Sequence, residues 1–203
     1  LVIKSPGISN QINLIQKIIE KEISIISEIE FASRFTKAKI VAITGTNGKT
    51  TTALLIYKIL NDAGYNVLLA GNIGLSFAAE ISKKDYDFVV LEVSSFQLDN
   101  IVEFRPSISI ILNITADHLD RYDNNFSNYV YSKLQITKNQ TKKDFLIYNY
   151  DDNSLSALKT NAKKIPISLK YKLYGDSGLY TNNKMNINLN NKTMTIEKLA
   201  LKG

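Results

Sequence analysis

Six consecutive residues, Gly45-Thr46-Asn47-Gly48-Lys49-Thr50, have the composition of a loop that wraps phosphate. Glycines let backbone N–H groups approach an anion with no Cβ in the way. The lysine can reach the β- and γ-phosphates of a nucleoside triphosphate, and the threonine hydroxyl can sit on Mg2+. The general G-x-x-x-x-G-K-[ST] pattern asks for a glycine where this chain has Ile43, so the loop is a shorter variant. Three more side chains could work with it. Glu92 ends an apolar run and has the layout of an acid that holds Mg2+ opposite a phosphate loop. His118, the only histidine, lies in a polar stretch after another apolar run; its ring either supports structure or contacts a metal or substrate. Lys133 falls inside an apolar stripe at helical spacing, three residues from Val130 and four from Tyr129. There it either snorkels out or is used. Burial lowers a lysine pKa, and a neutral amine can react with CO2 to give an anionic carbamate.

The flanking elements have the right pattern to position these groups. Lys39 to Ile43 predicts a buried strand, and Thr51 to Ala63, stopped by Gly64, predicts a helix. Further strands are expected at Val67–Ala70, Phe88–Val93, Ile108–Ile114 and Asp144–Tyr148, with helices at Phe126–Lys138 and Asn153–Asn161. Alternating strands and helices predict a doubly wound α/β domain, a mostly parallel sheet with helices on both faces. Ligands in such sheets bind beyond the carboxyl ends of the strands. Lys49, Thr50, Asn72, Glu92, Ser94, Gln97, Asp117 and His118 all follow strand ends, so they are expected on one edge. Ahead of the loop come a strand at Leu1–Lys4, a turn at Ser5-Pro6-Gly7, a helix over Asn10–Lys21, and a strand over Ile23–Ile26. Ser27 and Glu30 carry a capping-box signature. Beyond Ile165, short β runs separated by Asn182-Asn183 and Asn190-Asn191 predict a small antiparallel meander on or beside the sheet.

The totals bound the partners. The chain has 203 residues, a net charge of +6 and no cysteine, so disulfides and thiol chemistry are excluded. No apolar run reaches the length of a membrane span and no signal peptide is visible, so a cytoplasmic location is expected. The lysines are spread along the chain, which suits a solvated surface or anionic small molecules; no basic cluster interleaved with aromatics points to nucleic acid. The chain starts at Leu1 and reads as a piece of a longer protein.

Taken together, several motifs resemble the Mur ligases: Ser5-Pro6-Gly7-Ile8, the loop Gly45 to Thr50, Gly71-Asn72-Ile73-Gly74, Glu92-Val93-Ser94-Ser95-Phe96-Gln97-Leu98, Asn113 to Tyr122, and Ser132-Lys133-Leu134. Within that family, Ser-Ser-Phe-Gln-Leu points to the member that adds D-glutamate. Ala116, before Asp-His, is a minor departure. The resemblance implies an ATP-dependent amide ligase that joins D-glutamate to UDP-N-acetylmuramoyl-L-alanine through an acyl phosphate, as a monomer. It implies residues 1–30 as the tail of an N-terminal UDP-binding domain and residues 31–203 as an incomplete central ATP-binding domain. A C-terminal domain is missing, so the piece alone is expected to be inactive. On the same resemblance, Gly45, Thr46, Asn47, Gly48, Lys49, Thr50, Thr51 and Thr52 bind nucleotide, and Lys49 stabilises the transferring phosphoryl group. Thr50 and Glu92 hold one Mg2+, and Glu92, His118 and carbamylated Lys133 hold a second. Asn72, Ser94, Gln97 and His118 orient the muramoyl-alanine part, and Ser5 and Gly7 lie near the diphosphate. A folylpolyglutamate synthase-like ligase, another Mur ligase, a P-loop NTPase switch and a non-catalytic nucleotide-binding module remain as alternatives.

Overall fold

The computed structural model describes residues 1–156, 158–181 and 184–196. Two short parallel strands, β1 (Val2–Lys4) and β2 (Ile25–Ser27), bracket helix α1 (Asn13–Glu20) and form a small sheet of their own. Helix α2 (Glu28–Ser33) leads from it into a nine-stranded sheet. Its elements are β3 (Lys39–Thr44), α3 (Lys49–Asp62), β4 (Val67–Gly71), α4 (Phe77–Ile81), β5 (Phe88–Glu92), α5 (Ser95–Leu98), β6 (Ile108–Ile111), α6 (Phe126–Leu134), β7 (Phe145–Asn149), β8 (Lys163–Ser168), β9 (Ser177–Thr181), β10 (Lys184–Leu189) and β11 (Lys192–Ile196).

The strand order is β11-β10-β9-β8-β7-β6-β3-β5-β4. The run from β9 to β4 is parallel, and β10 and β11 are antiparallel. The expected meander is therefore the edge of the main sheet, with β8 and β9 still parallel. Asn190 and Asn191 take φ of 51° and 61° in the β10–β11 turn, as the asparagine pair predicts. The other pair, Asn182-Asn183, lies outside the described residues.

Successive residues of β3 point to opposite faces and fill two cores. Ile40 and Ala42 join Leu68, Val89, Leu91, Ile111 and Leu146 under α2, α4, α5 and α6. Val41 and Ile43 join Val90 and Ile110 under α3, through Ala53, Ile56, Tyr57 and Leu60. Burying side chains of this size contributes roughly 1.5–3 kcal/mol each.

Three elements depart from expectation. Among the described residues of 153–161, the expected helix is a single 3-10 turn, Asn153–Leu155. Leu155 in that turn and Leu158 after it both lie in the core, and Thr160 and Asn161 are weak helix formers. Helix α6 gives way at Leu134 to a 3-10 turn over Gln135–Thr137. The strand expected to reach Ile114 stops at Ile111, because residues 112–115 turn to contact the phosphate loop.

Glu30 organises the junction with the first segment. Ser27 caps α2 by accepting from the Glu30 N–H, as expected, but the Glu30 carboxylate does not complete a capping box. It is fully buried. One oxygen accepts the N–H groups of Val102, Glu103 and Phe104 at 2.7–2.9 Å. The other is gripped by Arg34 at 2.7 and 2.9 Å. Burial alone pushes its pKa up, but these bonds outweigh it and hold the carboxyl below its usual value. A depressed carboxyl pKa stabilises the fold above the unfolded pKa and loses that effect as pH falls through the folded one. We expect Glu30→Ala to lower stability by about 3 kcal/mol in urea titration at pH 7. Because the wild type alone loses the carboxylate's contribution, the gap should shrink below about pH 4.5.

Candidate active site

The phosphate loop joins β3 to α3. Gly45 has φ of 153°, and a Cβ there would press on Leu112 and Asn113 at 3.1–3.4 Å. The pattern's glycine is thus not needed at Ile43, which is a fully buried strand residue; the close approach falls two residues later. The segment after β6 holds the loop's shape. Asn113 accepts the Thr46 N–H on its carbonyl (2.8 Å) and the Asn47 N–H on its Oδ1 (2.9 Å), and its Nδ2 donates to Asn47 O (3.0 Å). Thr46 Oγ1 accepts the Thr115 N–H at 3.0 Å and donates to Thr115 O at 3.1 Å. Sequence reasoning quoted Asn113 within a motif but gave it no role. An asparagine directly after the apolar run Ile110-Ile111-Leu112 is the available signal. Thr50, Thr51 and Thr52 lie in the first turn of α3, the positive end of the helix dipole, where an anion would be favoured.

Glu92 is the hub on the neighbouring strand. It is 2 % exposed. Thr50 Oγ1 donates to its Oε2 at 2.7 Å, and Asn72 Nδ2 donates to its Oε1 at 2.9 Å. Gly71 makes this approach possible: any Cβ there would collide with the Glu92 backbone, and Asn72 N donates to Glu92 O at 2.8 Å. A carboxylate and a hydroxyl beside an anion-binding loop are the hard oxygen donors that suit Mg2+.

Two lysines converge on the loop from within. Lys49 Nζ donates to Gly45 O (3.0 Å) and Thr46 O (2.9 Å), and Lys133 Nζ donates to the same Gly45 O at 2.9 Å. Lys133 is 2 % exposed, so it does not snorkel. Its ammonium stands 4.7 Å from the centre of the Tyr129 ring. Burial, and then the Lys49 charge, bring its pKa down to about 8, against a smaller upward pull from Asp117.

The remaining expected residues are less tightly joined. Ser94 and Gln97 bond each other: Ser94 Oγ caps α5 by accepting from Gln97 N, and Gln97 Oε1 accepts the Ser94 N–H at 2.9 Å. They shape the turn after Glu92. His118 sits at φ 49°, a strained left-handed position for a residue with a side chain. Its ring is 61 % exposed, 3.6 Å from Asp117 and 5.6 Å from the Phe96 ring. No hydrogen bond among the described residues ties it to Glu92 or Lys133. Ser5 and Gly7 lie in the turn after β1, where Ser5 O accepts from Ile8 N and Arg121 reaches Pro6 O at 3.4 Å. Nothing crowds the Gly7 Cβ position, so no neighbouring segment demands a glycine there. Among the described residues no three His, Cys, Asp or Glu side chains converge as a metal cage, and no helix is long and apolar enough to cross a membrane.

A parallel α/β sheet with a glycine-lysine-threonine loop at its carboxyl edge and an acid on the adjacent strand defines a P-loop nucleotide-binding domain. The family follows from comparison. Residues 43–202 match the Mur ligase middle domain, and the chain belongs to the Mur ligase family. It is 44 % identical over its whole length to a UDP-N-acetylmuramoylalanine--D-glutamate ligase of Christiangramia forsetii, of which it covers 47 %. It is 54 % identical over 74 % of its length to the ligase of the same name from Bacteroides fragilis, of which it covers 34 %. The chain thus spans less than half the length of these relatives. The crystal structure of the MurF ligase of Thermotoga maritima in complex with ADP shares the fold, with a TM-score of 0.58 and 16 % identity over 89 % of this chain and 51 % of that one.

Two outcomes are expected. Lowering the Lys133 pKa from 10.5 to about 8 corresponds to about 3 kcal/mol of unfavourable charge burial. The unfolded chain holds that proton more tightly, so this cost is full below pH 8 and fades as pH rises to about 10.5. Lys133→Met should therefore be more stable than wild type at pH 7 in denaturant titration, by up to about 3 kcal/mol, with the gap closing toward pH 10. Asn113→Ala should leave global stability within about 1 kcal/mol, yet speed amide hydrogen exchange at Thr46 and Asn47 by on the order of tenfold.

Proposed function

We propose that this chain is the ATP-binding part of an ADP-forming ligase that joins D-glutamate to UDP-N-acetylmuramoyl-L-alanine in peptidoglycan precursor synthesis. The observation that carries the reading is the contact between Thr50 and Glu92 at 2.7 Å beside a loop onto which two lysines converge. The names of the two relatives, at 44 % and 54 % identity, support the choice of substrates. In this reading residues 1–30 end an N-terminal domain that holds the UDP moiety, residues 31–203 form most of the central domain, and a C-terminal domain completes the site. The chain alone is then inactive. The whole enzyme works in the cytoplasm as a monomer.

The reaction has two stages. The γ-phosphoryl group of ATP passes to the alanine carboxylate, giving an acyl phosphate; the amine of D-glutamate then attacks that carbonyl and expels phosphate. Phosphoryl transfer asks the protein for position and charge rather than covalent chemistry. Residues Gly45 to Thr52 surround the phosphates; the N–H groups of Thr46 and Asn47 are held by Asn113 and that of Thr52 by Gly48 O, so those of Gly48 to Thr51 donate to the phosphates. Lys49 gives up its bonds to Gly45 O and Thr46 O and turns to the γ-phosphate. Thr50 and Glu92 are the residues that would hold Mg2+, which when bound neutralises phosphate charge. Asn72 keeps the Glu92 carboxylate aimed. His118 and a carbamylated Lys133, with Glu92, would hold the second ion. Ser94 and Gln97 shape the wall for the muramoyl-alanine part, and Ser5 and Gly7 lie toward its diphosphate.

Phosphate release by the full-length protein, with Mg-ATP and UDP-N-acetylmuramoyl-L-alanine, with and without D-glutamate, tests the reading. Release that needs both substrates supports it. Release with ATP alone points to an NTPase switch, and none at all to a binding module. Lys49→Ala should cut turnover by at least about 100-fold. Lys133→Ala should lose activity and regain part of it with added short-chain carboxylic acids; full activity without them would remove the carbamate from the mechanism.

A further inference from the structure

Asp99, the residue that ends α5, is a carboxylate to which the mechanism above gives no task. The residue is exposed on one side, where it lines a cavity, but both of its carboxylate oxygens have fixed partners. Ser132 Oγ lies 2.5 Å from its Oδ1, and Tyr122 OH donates to its Oδ2 at 3.0 Å. Ser132 Oγ also lies 3.0 Å from Ser95 O and 3.2 Å from Tyr122 OH. Lys4 of β1 and Arg121 line the same cavity of about 240 Å3. Burial pushes the Asp99 pKa up, against the pull of Ser132, Tyr122, Lys4 and Arg121.

These partners lie on different elements. Ser95 and Asp99 belong to the α5 turn that follows Glu92, Tyr122 ends the 3-10 turn that follows His118, and Ser132 lies on α6. The next residue on α6 is Lys133, bonded to Gly45 O of the phosphate loop. Tyr129, one turn earlier, is 5.5 Å from the Tyr122 ring and 3.4 Å from Thr46 Oγ1. Apolar packing alone would let α6 slide or turn by a few tenths of an ångström at small cost, because it is not directional. A carboxylate that accepts from the hydroxyls of two buried residues, Ser132 and Tyr122, allows one arrangement, and a departure strands a buried hydroxyl without its acceptor.

We propose that Asp99 is a positioning residue: through Ser132 and Tyr122 it locks α6 in the register that holds Lys133 against the Gly45 carbonyl. Its side-chain hydrogen bonds go to Tyr122 and Ser132 rather than to the phosphate loop; it acts through Ser132 and its neighbour Lys133. The catalytic consequence rests on the ligase reading; the structural one does not.

The test uses Asp99→Ala, Asp99→Asn and Ser132→Ala in the full-length protein, with Arg105→Ala as a control for general stability. Arg105 pairs with Asp144 at 2.8 Å, outside the site described above. Misplacing a working group by about 1 Å costs on the order of 100-fold in rate. Asp99→Ala should lower kcat by about 10- to 100-fold while the KM for ATP changes less than about threefold, since the loop backbone is untouched. Asp99→Asn keeps an oxygen acceptor and should stay within about threefold of wild type, and Ser132→Ala should fall between. Arg105→Ala should lose stability with kcat unchanged. Crystal structures of Asp99→Asn and Asp99→Ala give a readout that does not need turnover: Lys133 Nζ should stay within about 3.2 Å of Gly45 O in the first and leave it in the second. If Asp99→Ala does not fold, Asp99→Asn and Ser132→Ala decide the matter. The proposal is overturned if Asp99→Ala keeps kcat within twofold, if Asp99→Asn fails as badly as Asp99→Ala, if Ser132→Ala leaves kcat unchanged, or if Lys133 stays in place without the carboxylate. If wild type shows no substrate-dependent phosphate release, the ligase reading fails, and the Lys133 position alone decides the clamp.

Discussion

One peptide carbonyl carries two ammonium groups. Gly45 O accepts from Lys49 at 3.0 Å and from Lys133 at 2.9 Å, and like charges this close repel unless an anion or a change of protonation relieves them. The loop geometry presents that oxygen, with Gly45 pressed against Leu112 and Asn113 and Thr46 bridged to Thr115. The site is therefore organised around stored positive charge. A phosphate chain entering the loop would relieve the repulsion by drawing Lys49 away, which ties anion binding to the local electrostatics of the fold.

The same logic recurs where the chain buries carboxylates. Glu30, Glu92 and Asp144 all have fixed donors. Glu30 draws three consecutive N–H groups of residues 102–104 onto one oxygen. Asp144 accepts from Arg105 and from the Thr141 N–H. Glu92 is held between Thr50 and Asn72. Apolar burial contributes most of the stability, yet it is non-directional. These carboxylates add direction, and each joins segments that the sheet alone would leave free to shift.

Much of this molecule is legible in its sequence. The strand–loop–helix at residues 39–62, the β5 run that ends in Glu92 and the α6 stripe around Lys133 follow from local rules of period and composition. Those rules failed where a local pattern met a distant demand. Ile108–Ile114 has the composition of one long strand, but its last residues leave the sheet to brace the loop 66 positions earlier in sequence. Glu30 matches a capping box, but loop 102–104 offered three donors where the cap offered one. Lys133 stood between two readings because periodicity places a residue on a face without saying what the face meets.

The sequence by itself determined the class of the fold, the phosphate loop, and which side chains collect at the carboxyl edge of the sheet. These are consequences of backbone period, of glycine and lysine chemistry, and of the rule that parallel strands present their ends together. Only the tertiary structure decided that glycine is required at 45 and 71, that Asn113 is the loop's scaffold, that Ser94 and Gln97 bond one another, and that Lys133 meets Gly45. Each depends on contacts between segments far apart in the chain or on the path of a turn. A hydrogen bond exists or fails over a few tenths of an ångström, and packing sets such distances only after every element has docked.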